Sequence, residues 1–258
     1  MKTPEIAMLH LQHITKAFNK GKATEIAAIQ DVTLQFEAGS YTVLVGANGS
    51  GKSTLLNLIA GNFDADSGDI RLHGQEIQRL PDYKRSQWIA RVFQNPLTGT
   101  AASLSILDNF RMAALRGSPK RMRLGIDESF RQSVGEKIAA LGMGLEHKLT
   151  QPMGTLSGGQ RQALTLLMTV MAPVKVLLLD EPSAALDPRS AREVMEIADR
   201  IVREYGLTAL LVTHNIHEAL RYGTRLIQME SGKVIRDHNQ AAKATLNHTE
   251  VVSWFDYY

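Results

Sequence analysis

Gly46-Ala47-Asn48-Gly49-Ser50-Gly51-Lys52-Ser53 places glycines, a lysine and a hydroxyl in the order G-x-x-x-x-G-K-[ST]. These residue types suit phosphate chemistry. Glycine admits backbone angles and close approaches that a Cβ would block. The N–H groups of such a loop, with the N-terminus of a following helix, form a nest of partial positive charge. Lys52 can reach the β- and γ-phosphates of a nucleotide, and the Ser53 hydroxyl can ligate Mg²⁺. Tyr41 to Val45, just before, reads as a short buried parallel strand, and Lys52 to Ala60 as a helix stopped by Gly61. Strand, glycine loop and helix in that order make a phosphate-binding loop rather than a chance turn.

The elements that must hold this loop follow from the rest of the chain. Core strands are predicted at Ile89–Phe93, Val176–Leu179 and Thr208–Val212, and each ends in polar residues: Gln94, Asp180-Glu181 and Thr213-His214. In open parallel sheets ligands sit outside the strands' carboxyl ends, so segments far apart in sequence converge on one crevice. Alternating patterns at residues 8–18 and 27–36 predict two further strands. With Asp69 to Ile77, and with a hairpin over Arg225 to Ile235 turned at Ser231-Gly232-Lys233, these are expected to form an antiparallel layer beside the main sheet. Residues 95–164 read as mostly helical. Asp127 can cap a helix carrying Phe130, Val134, Ile138 and Leu141 on one face. A later helix starts at Pro188 with Asp187 as N-cap, keeps Val194, Ile197, Ala198, Ile201 and Tyr205 at helical spacing, and stops at Gly206. The expectation is one α/β domain over residues 1–258, with a core of about 1–94 and 165–258 and an inserted helical subdomain of about 95–164.

Composition narrows the class. The chain has 258 residues, 44% of them hydrophobic, ample for one large core. A net charge of +3 is too small to argue for nucleic acid. With no cysteine there is neither a disulfide framework nor a Cys-based zinc site. No apolar run approaches a membrane span, and Met1-Lys2-Thr3-Pro4-Glu5 lacks the apolar core of a signal peptide. A soluble cytoplasmic protein is expected, one whose membrane role would need a partner.

Leu156-Ser157-Gly158-Gly159-Gln160 opens a helix predicted to run from Gln160 to Met171, and two glycines behind a serine at a helix start form a second anion nest. Downstream comes Val176-Leu177-Leu178-Leu179-Asp180-Glu181, an apolar strand ending in two carboxylates. In combination these segments resemble the ATP-binding cassette (ABC) family of ATPases, with a P-loop NTPase core. The resemblance runs from about residue 8 to 238. It rests on the ordered series 46–53, Gln94, Leu156–Gln160, Val176–Glu181, Ser183-Ala184-Ala185-Leu186-Asp187 and His214.

The resemblance implies roles residue by residue. Gly46, Ala47, Asn48, Gly49, Ser50, Gly51, Lys52, Ser53 and Thr54 would bind the nucleotide. Ser53, Gln94 and Asp180 would attend Mg²⁺, Asp180 through water. Glu181 would be the general base, with geometry contributing more than basicity. Gln94 would sense Mg²⁺ and the attacking water, and His214 would contact the γ-phosphate. The other histidines (His10, His13, His73, His147, His217, His238, His248) read as structural or solvated. Phe18 stands where the family stacks adenine on an aromatic ring, commonly tyrosine; the bland alternative is a half-buried strand-end aromatic. Ser157, Gly158, Gly159 and Gln160 would complete the ATP site of a second chain, so that two copies sandwich two ATP molecules head-to-tail. Asp187 would communicate across that seam while capping its helix.

The functional expectation is the ATPase subunit of a transporter, at the cytoplasmic face of the inner membrane. It would work as a dimer, with ATP and Mg²⁺, on an integral membrane permease. Pro96, Leu97, Leu104, Ile106, Leu107 and Phe110 are candidates for the permease groove; core packing is their alternative. A separate ATPase chain fits a bacterial importer, in which case an extracytoplasmic substrate-binding protein is a further partner. Pro96-Leu97-Thr98-Gly99-Thr100-Ala101 with Asp108-Asn109-Phe110 resembles an amino-acid-type importer group. Two other readings stay open at this point. One is an exporter ATPase for lipid, lipoprotein or drug. The other is a soluble ABC protein acting on nucleic acid or ribosomes, disfavoured because the insertion is compact and there is no second cassette; no nucleic-acid partner is expected. The basic run Arg116 to Arg123 suits either a solvated loop or anionic headgroups, and the aromatic tail Trp254 to Tyr258 is left between packing, interface and disorder.

Overall fold

The structure is a computed structural model that describes residues 7–117 and 125–255. Two sheets clasp one helix. The antiparallel sheet has the order β2-β1-β4-β5, from β1 (Leu9–Phe18), β2 (Ile26–Phe36), β4 (Ser67–Leu72) and β5 (Gln75–Glu76). The main sheet has the order β10-β9-β3-β8-β7-β6, from β3 (Tyr41–Val45), β6 (Ile89–Val92), β7 (Val176–Asp180), β8 (Thr208–Val212), β9 (Arg225–Glu230) and β10 (Lys233–His238). All its pairings are parallel except that of β10 with β9.

The strand period of two decides which layer each side chain joins. Leu44, Leu178, Leu210, Val212 and Ile227 face α1 (Lys52–Ala60) and the antiparallel sheet. Val43, Val45, Leu177, Leu179 and Leu211 face the opposite layer, which includes α5 (Gly158–Thr169) and α6 (Pro188–Glu204). Four side chains of α1, Leu55, Leu56, Leu58 and Ile59, are wholly buried between the sheets. At about 1.5–3 kcal/mol each, their burial holds the helix that follows the glycine loop. A third cluster joins Ile106 and Phe110 of α3 (Ile106–Ala114) to Val134 and Ile138 of α4 (Glu128–Ala139) and to Leu164 and Leu167 of α5. Helix α5 thus presents one side to the sheet and another to the helical segment.

The structure differs from expectation at several places. The Arg225 to Ile235 hairpin does not join the antiparallel layer; β9 pairs in parallel with β3 and extends the main sheet. Leu226, Ile227, Gln228 and Met229 are consecutively buried, as in a strand covered on both faces. The segment Asp69 to Ile77 is a hairpin rather than one strand, because His73 and Gly74 both take positive φ (47° and 79°), the two-residue turn that suits twisted strands. Helix α5 starts two residues earlier than predicted. Ser157 is its N-cap in a reciprocal capping box with Gln160, so both glycines lie inside the first turn. Ile106, Leu107 and Phe110 are core residues, and Pro96 is buried; of the groove candidates, Leu97 (56% exposed) and Leu104 (41%) are open. Arg116 donates to the carbonyl of Thr169 at the end of α5, and most of the basic run lies outside the described residues. Among the described residues no helix is long and apolar enough to cross a membrane.

The far end of α1 is held by a buried cation. Arg85, at the close of α2 (Asp82–Arg85), is 1% exposed. Its guanidinium donates to the carbonyls of Leu58, Ile59, Leu80 and Gln78 at 2.6, 3.2, 2.8 and 2.7 Å. It thereby satisfies helix-end carbonyls that would otherwise be unpaired in the core. Arg85→Met should leave them so and lower stability by about 3 kcal/mol or more in urea unfolding; a loss under about 1 kcal/mol would refute this role.

Candidate active site

The glycine loop leaves β3 with Gly46 at φ 155°. A Cβ there would lie 2.2 Å from the Met229 carbonyl oxygen and 2.6 Å from Ser50 Oγ, so the position demands glycine. Gly51 (φ 101°) is the N-cap of α1, and a Cβ there would lie 2.5 Å from the Ala28 carbonyl oxygen. The Lys52 ammonium lies inside the loop and donates to the carbonyls of Gly46 (2.8 Å) and Ala47 (3.0 Å). Burial lowers its pKa, while the charges of Glu181 and Asp180 act the other way.

Gly46, Ala47, Asn48, Ser53, Gln94, Glu181 and His214 line one cavity of about 710 Å³. Asp180 lies beside it, with Oδ1 3.2 Å from Ser53 Oγ. Glu181 has a left-handed backbone (φ 47°), a strained conformation for a non-glycine residue and one that recurs at active sites. Its carboxylate Oε2 is 3.2 Å from His214 Nδ1, with His214 the more exposed of the two. The hydroxyl of Ser53, the carboxylate of Asp180 and the amide of Gln94 are hard oxygen donors, few in number. They fit Mg²⁺, which takes one or two such groups and completes its shell from water and substrate phosphates.

Other predicted residues lie elsewhere. Ser157, Gly159 and Gln160 line a separate cavity of about 880 Å³ with Arg189 and Ser190. Gly159 is required there because a Cβ would meet Ser190 Cβ at 2.7 Å. Asp187 caps α6 by accepting from the N–H groups of Arg189 and Ser190, both at 3.1 Å. Phe18 is half-buried, edge-on to Phe63 with ring centroids 5.4 Å apart, and is not among the residues lining the 710 Å³ cavity.

Several residues at the site went unmarked in the sequence. Gln162, 1% exposed, donates from one amide to the carbonyls of Phe93 (2.8 Å) and Pro182 (3.1 Å), and so ties α5 to the neighbours of Gln94 and Glu181. Glu218, in α7 (Ile216–Arg221), accepts from the hydroxyls of Ser183 (2.7 Å) and Thr213 (2.6 Å), joining the segment after Glu181 to the residue before His214. Neither pair has a spacing rule that could have revealed it. Arg91 could have been noticed, as a charge inside an apolar strand. The carboxyl-terminal helix α9 (His248–Ser253) follows α8 (Gln240–Thr245), and Trp254 stacks on His238 while its carbonyl accepts from Gln228. Val252 and Phe255 then join the lining of the phosphate-loop cavity. The tail therefore packs on the body as far as Phe255; Asp256 to Tyr258 lie outside the described residues.

Comparison with known proteins identifies this assembly. Residues 29–184 match the family described as ABC transporter, and the chain belongs to that family. It is an ATP-hydrolysing subunit of such a transporter, in the α/β cassette fold. The chain is 37% identical over 97% of its length to a tyrosine transport ATP-binding protein of Clostridioides difficile (strain R20291), covering 99% of that protein. It is 34% identical over 96% of its length to the ATP-binding protein of a glycine betaine uptake system from Escherichia coli (strain K12), covering 76% of it. Among solved structures, it superposes with a TM-score of 0.77 and 26% identity on a dimeric ATP-binding cassette in a post-hydrolysis state bound to ADP and Pi, over 90% of this chain and 99% of that one.

The close approaches around Gly46 make a direct test. Gly46→Ala should shift the Met229 carbonyl or the loop, cost about 2–3 kcal/mol of stability and weaken nucleotide binding. Thermal unfolding and a fluorescent-ATP titration would measure both; a variant as stable and as tight as the parent would show that the loop tolerates the Cβ.

Proposed function

We propose that two copies of this chain close on two ATP molecules and so drive a separate integral membrane permease at the cytoplasmic face of the membrane, importing an amino acid delivered by an extracytoplasmic binding protein. The observation that carries the reading is the separation of the two anion-binding turns. The loop at 46–53 shares a cavity with Gln94, Glu181 and His214, whereas Ser157 and Gly159 line another. A second copy is the source of the missing donors. Each turn at Ser157–Gln160 covers the other chain's phosphates and supplies the charge stabilisation that an arginine supplies elsewhere. The dimeric cassette found among similar solved structures supports this pairing. The amino-acid cargo and the inward direction draw on the tyrosine transport and glycine betaine uptake relatives.

In this mechanism Glu181 orients the attacking water and accepts its proton. Its strained backbone and its contact with His214 fix the carboxylate before substrate arrives, so that little reorganisation is left to the reaction. His214, 60% exposed at its side chain, reaches toward the γ-phosphate. Lys52 turns from loop carbonyls to the β- and γ-phosphates. Ser53, Asp180 and Gln94 hold Mg²⁺, which when bound offsets charge on the phosphate oxygens. Phe18 offers its ring to the adenine. ATP stabilises the closed pair because only closure completes its contacts, and loss of the γ-phosphate removes that bias. The segment 95–164 carries the motion to the permease, with Leu97 and Leu104 on its open side.

Two experiments test this. Glu181→Gln should bind ATP as tightly as the parent, lose at least about 100-fold in turnover and elute as a dimer with ATP in size-exclusion chromatography. Turnover within a fewfold of the parent would remove Glu181 from the role of base. Deleting the chain in its host should abolish uptake of labelled tyrosine, restored by the parent but not by Glu181→Gln; undiminished uptake would exclude that cargo.

A further inference from the structure

Arg91 is the charged member of β6, three residues before Gln94. Its strand neighbours Ala90 and Val92 are buried in the layer containing α5 and α6, so alternation turns Arg91 to the α1 side. There its guanidinium forks. Nη2 donates to Asp180 Oδ2 at 2.5 Å, and Nη1 donates to Asn57 Oδ1 of α1 at 2.5 Å. The ring of Phe93 lies under it, 4.7 Å from centroid to guanidinium carbon. The two charged side chains are 10% and 12% exposed. A guanidinium does not lose its proton in a protein, so this positive charge is permanent.

The pair divides the Asp180 carboxylate between two duties. Oδ2 is committed to Arg91, and Oδ1 faces Ser53 Oγ. The carboxylates of Asp180 and Glu181 are then matched by the cations of Lys52 and Arg91. Among the described residues no group of three His, Cys, Asp or Glu side chains is placed to hold a metal. A divalent cation entering alone meets a site without net negative charge. A cation entering with a triphosphate brings its own negative partner.

We propose that Arg91 is a positioning residue that acts through Asp180. It holds the carboxylate's outer oxygen and offsets its charge, and so makes divalent-cation binding depend on the nucleotide's phosphates. The inference rests on the reading of Asp180 and Ser53 as the Mg²⁺ side of the ATP site. Its effect is on ordering: the cation arrives with ATP and does not occupy the carboxylates beforehand.

The test uses Mn²⁺ as the probe, read by electron paramagnetic resonance, on the full chain with and without a non-hydrolysable ATP analogue. Arg91→Gln keeps donors for Asp180 and Asn57 while removing the charge; Arg91→Met removes both. Each should bind Mn²⁺ alone about tenfold or more tighter than the parent, because a cation beside the carboxylate has been deleted. Arg91→Lys, which restores charge, and Asn57→Ala, which leaves it, should stay within about twofold of the parent. Nucleotide-free Mn²⁺ affinity unchanged in Arg91→Gln would overturn the proposal, as would equal tightening in Asn57→Ala, which would mark a loosened α1 instead. Asp180→Asn separates the underlying reading. If Mn²⁺ no longer strengthens analogue binding in that variant, Asp180 belongs to the cation site whatever Arg91 does. If the Mn²⁺ effect persists unchanged, the reading of Asp180 itself fails.

Discussion

Hydrogen bonding in the main sheet aligns Leu44 with Val212, Val212 with Asp180, and Leu179 with Val92. That parallel register brings the ends of four strands to one edge, and every chemical group of the cavity is measured from it. Gly46, Glu181 and Gln94 each come one or two residues beyond a strand end, and His214 two beyond Val212. A slip of one residue in any strand would turn its apolar side chains to the wrong layer, so the burial that stabilises the sheet also fixes where the polar ends emerge. The α1 helix adds a second constraint. Wedged between two sheets by Leu55, Leu56, Leu58 and Ile59, it holds its first turn, with Lys52 and Ser53, beside Asp180.

Apolar packing places the elements, but buried polar side chains join the loops to one another. Gln162 and Glu218 each bridge two loops, and Arg85 and Arg91 each connect α1 to a neighbouring element. In a low-dielectric interior such bridges are strong when complete and costly when broken. They also restrict which motions are cheap. Gln162 ties α5 to the carbonyls of Phe93 and Pro182, the residues next to Gln94 and Glu181, so hydrogen bonds join the helix that starts at Ser157 to the cavity at the strand ends.

The carboxyl-terminal segment gives the cavity an apolar flank. Val251 is wholly buried, and the Trp254 ring stacks on His238 at 5.2 Å and meets the Arg236 guanidinium at 5.1 Å. Lys243, in α8, donates to the carbonyls of Tyr222 and Gly223, and burial lowers its pKa to about 8. These contacts deliver Val252 and Phe255 beside Ile216 and His214. The cavity is thus lined by polar groups from the strand ends and by apolar side chains from the carboxyl-terminal segment.

The sequence by itself determined the local chemistry and the elements carrying it. The glycine loop, the Asp180-Glu181 pair, the Ser157 turn and the strands beneath them were all legible, because each depends on neighbours a few residues away: a backbone angle, a helix cap, a run of β-branched and leucine side chains. Helix α1 was readable from Lys52 to Ala60 for the same reason. Only the tertiary structure decided matters that depend on distant segments. It assigned β9 to the main sheet, because pairing with β3 is a choice among edges that the strand's own pattern does not express. It made Ile106, Leu107 and Phe110 core residues, since an apolar side chain reads the same in sequence whether it faces a core or a groove. It paired Arg91 with Asp180 and Glu218 with Ser183 and Thr213, because partners so far apart in the chain are selected by the packing of strands and helices and leave no periodic signal.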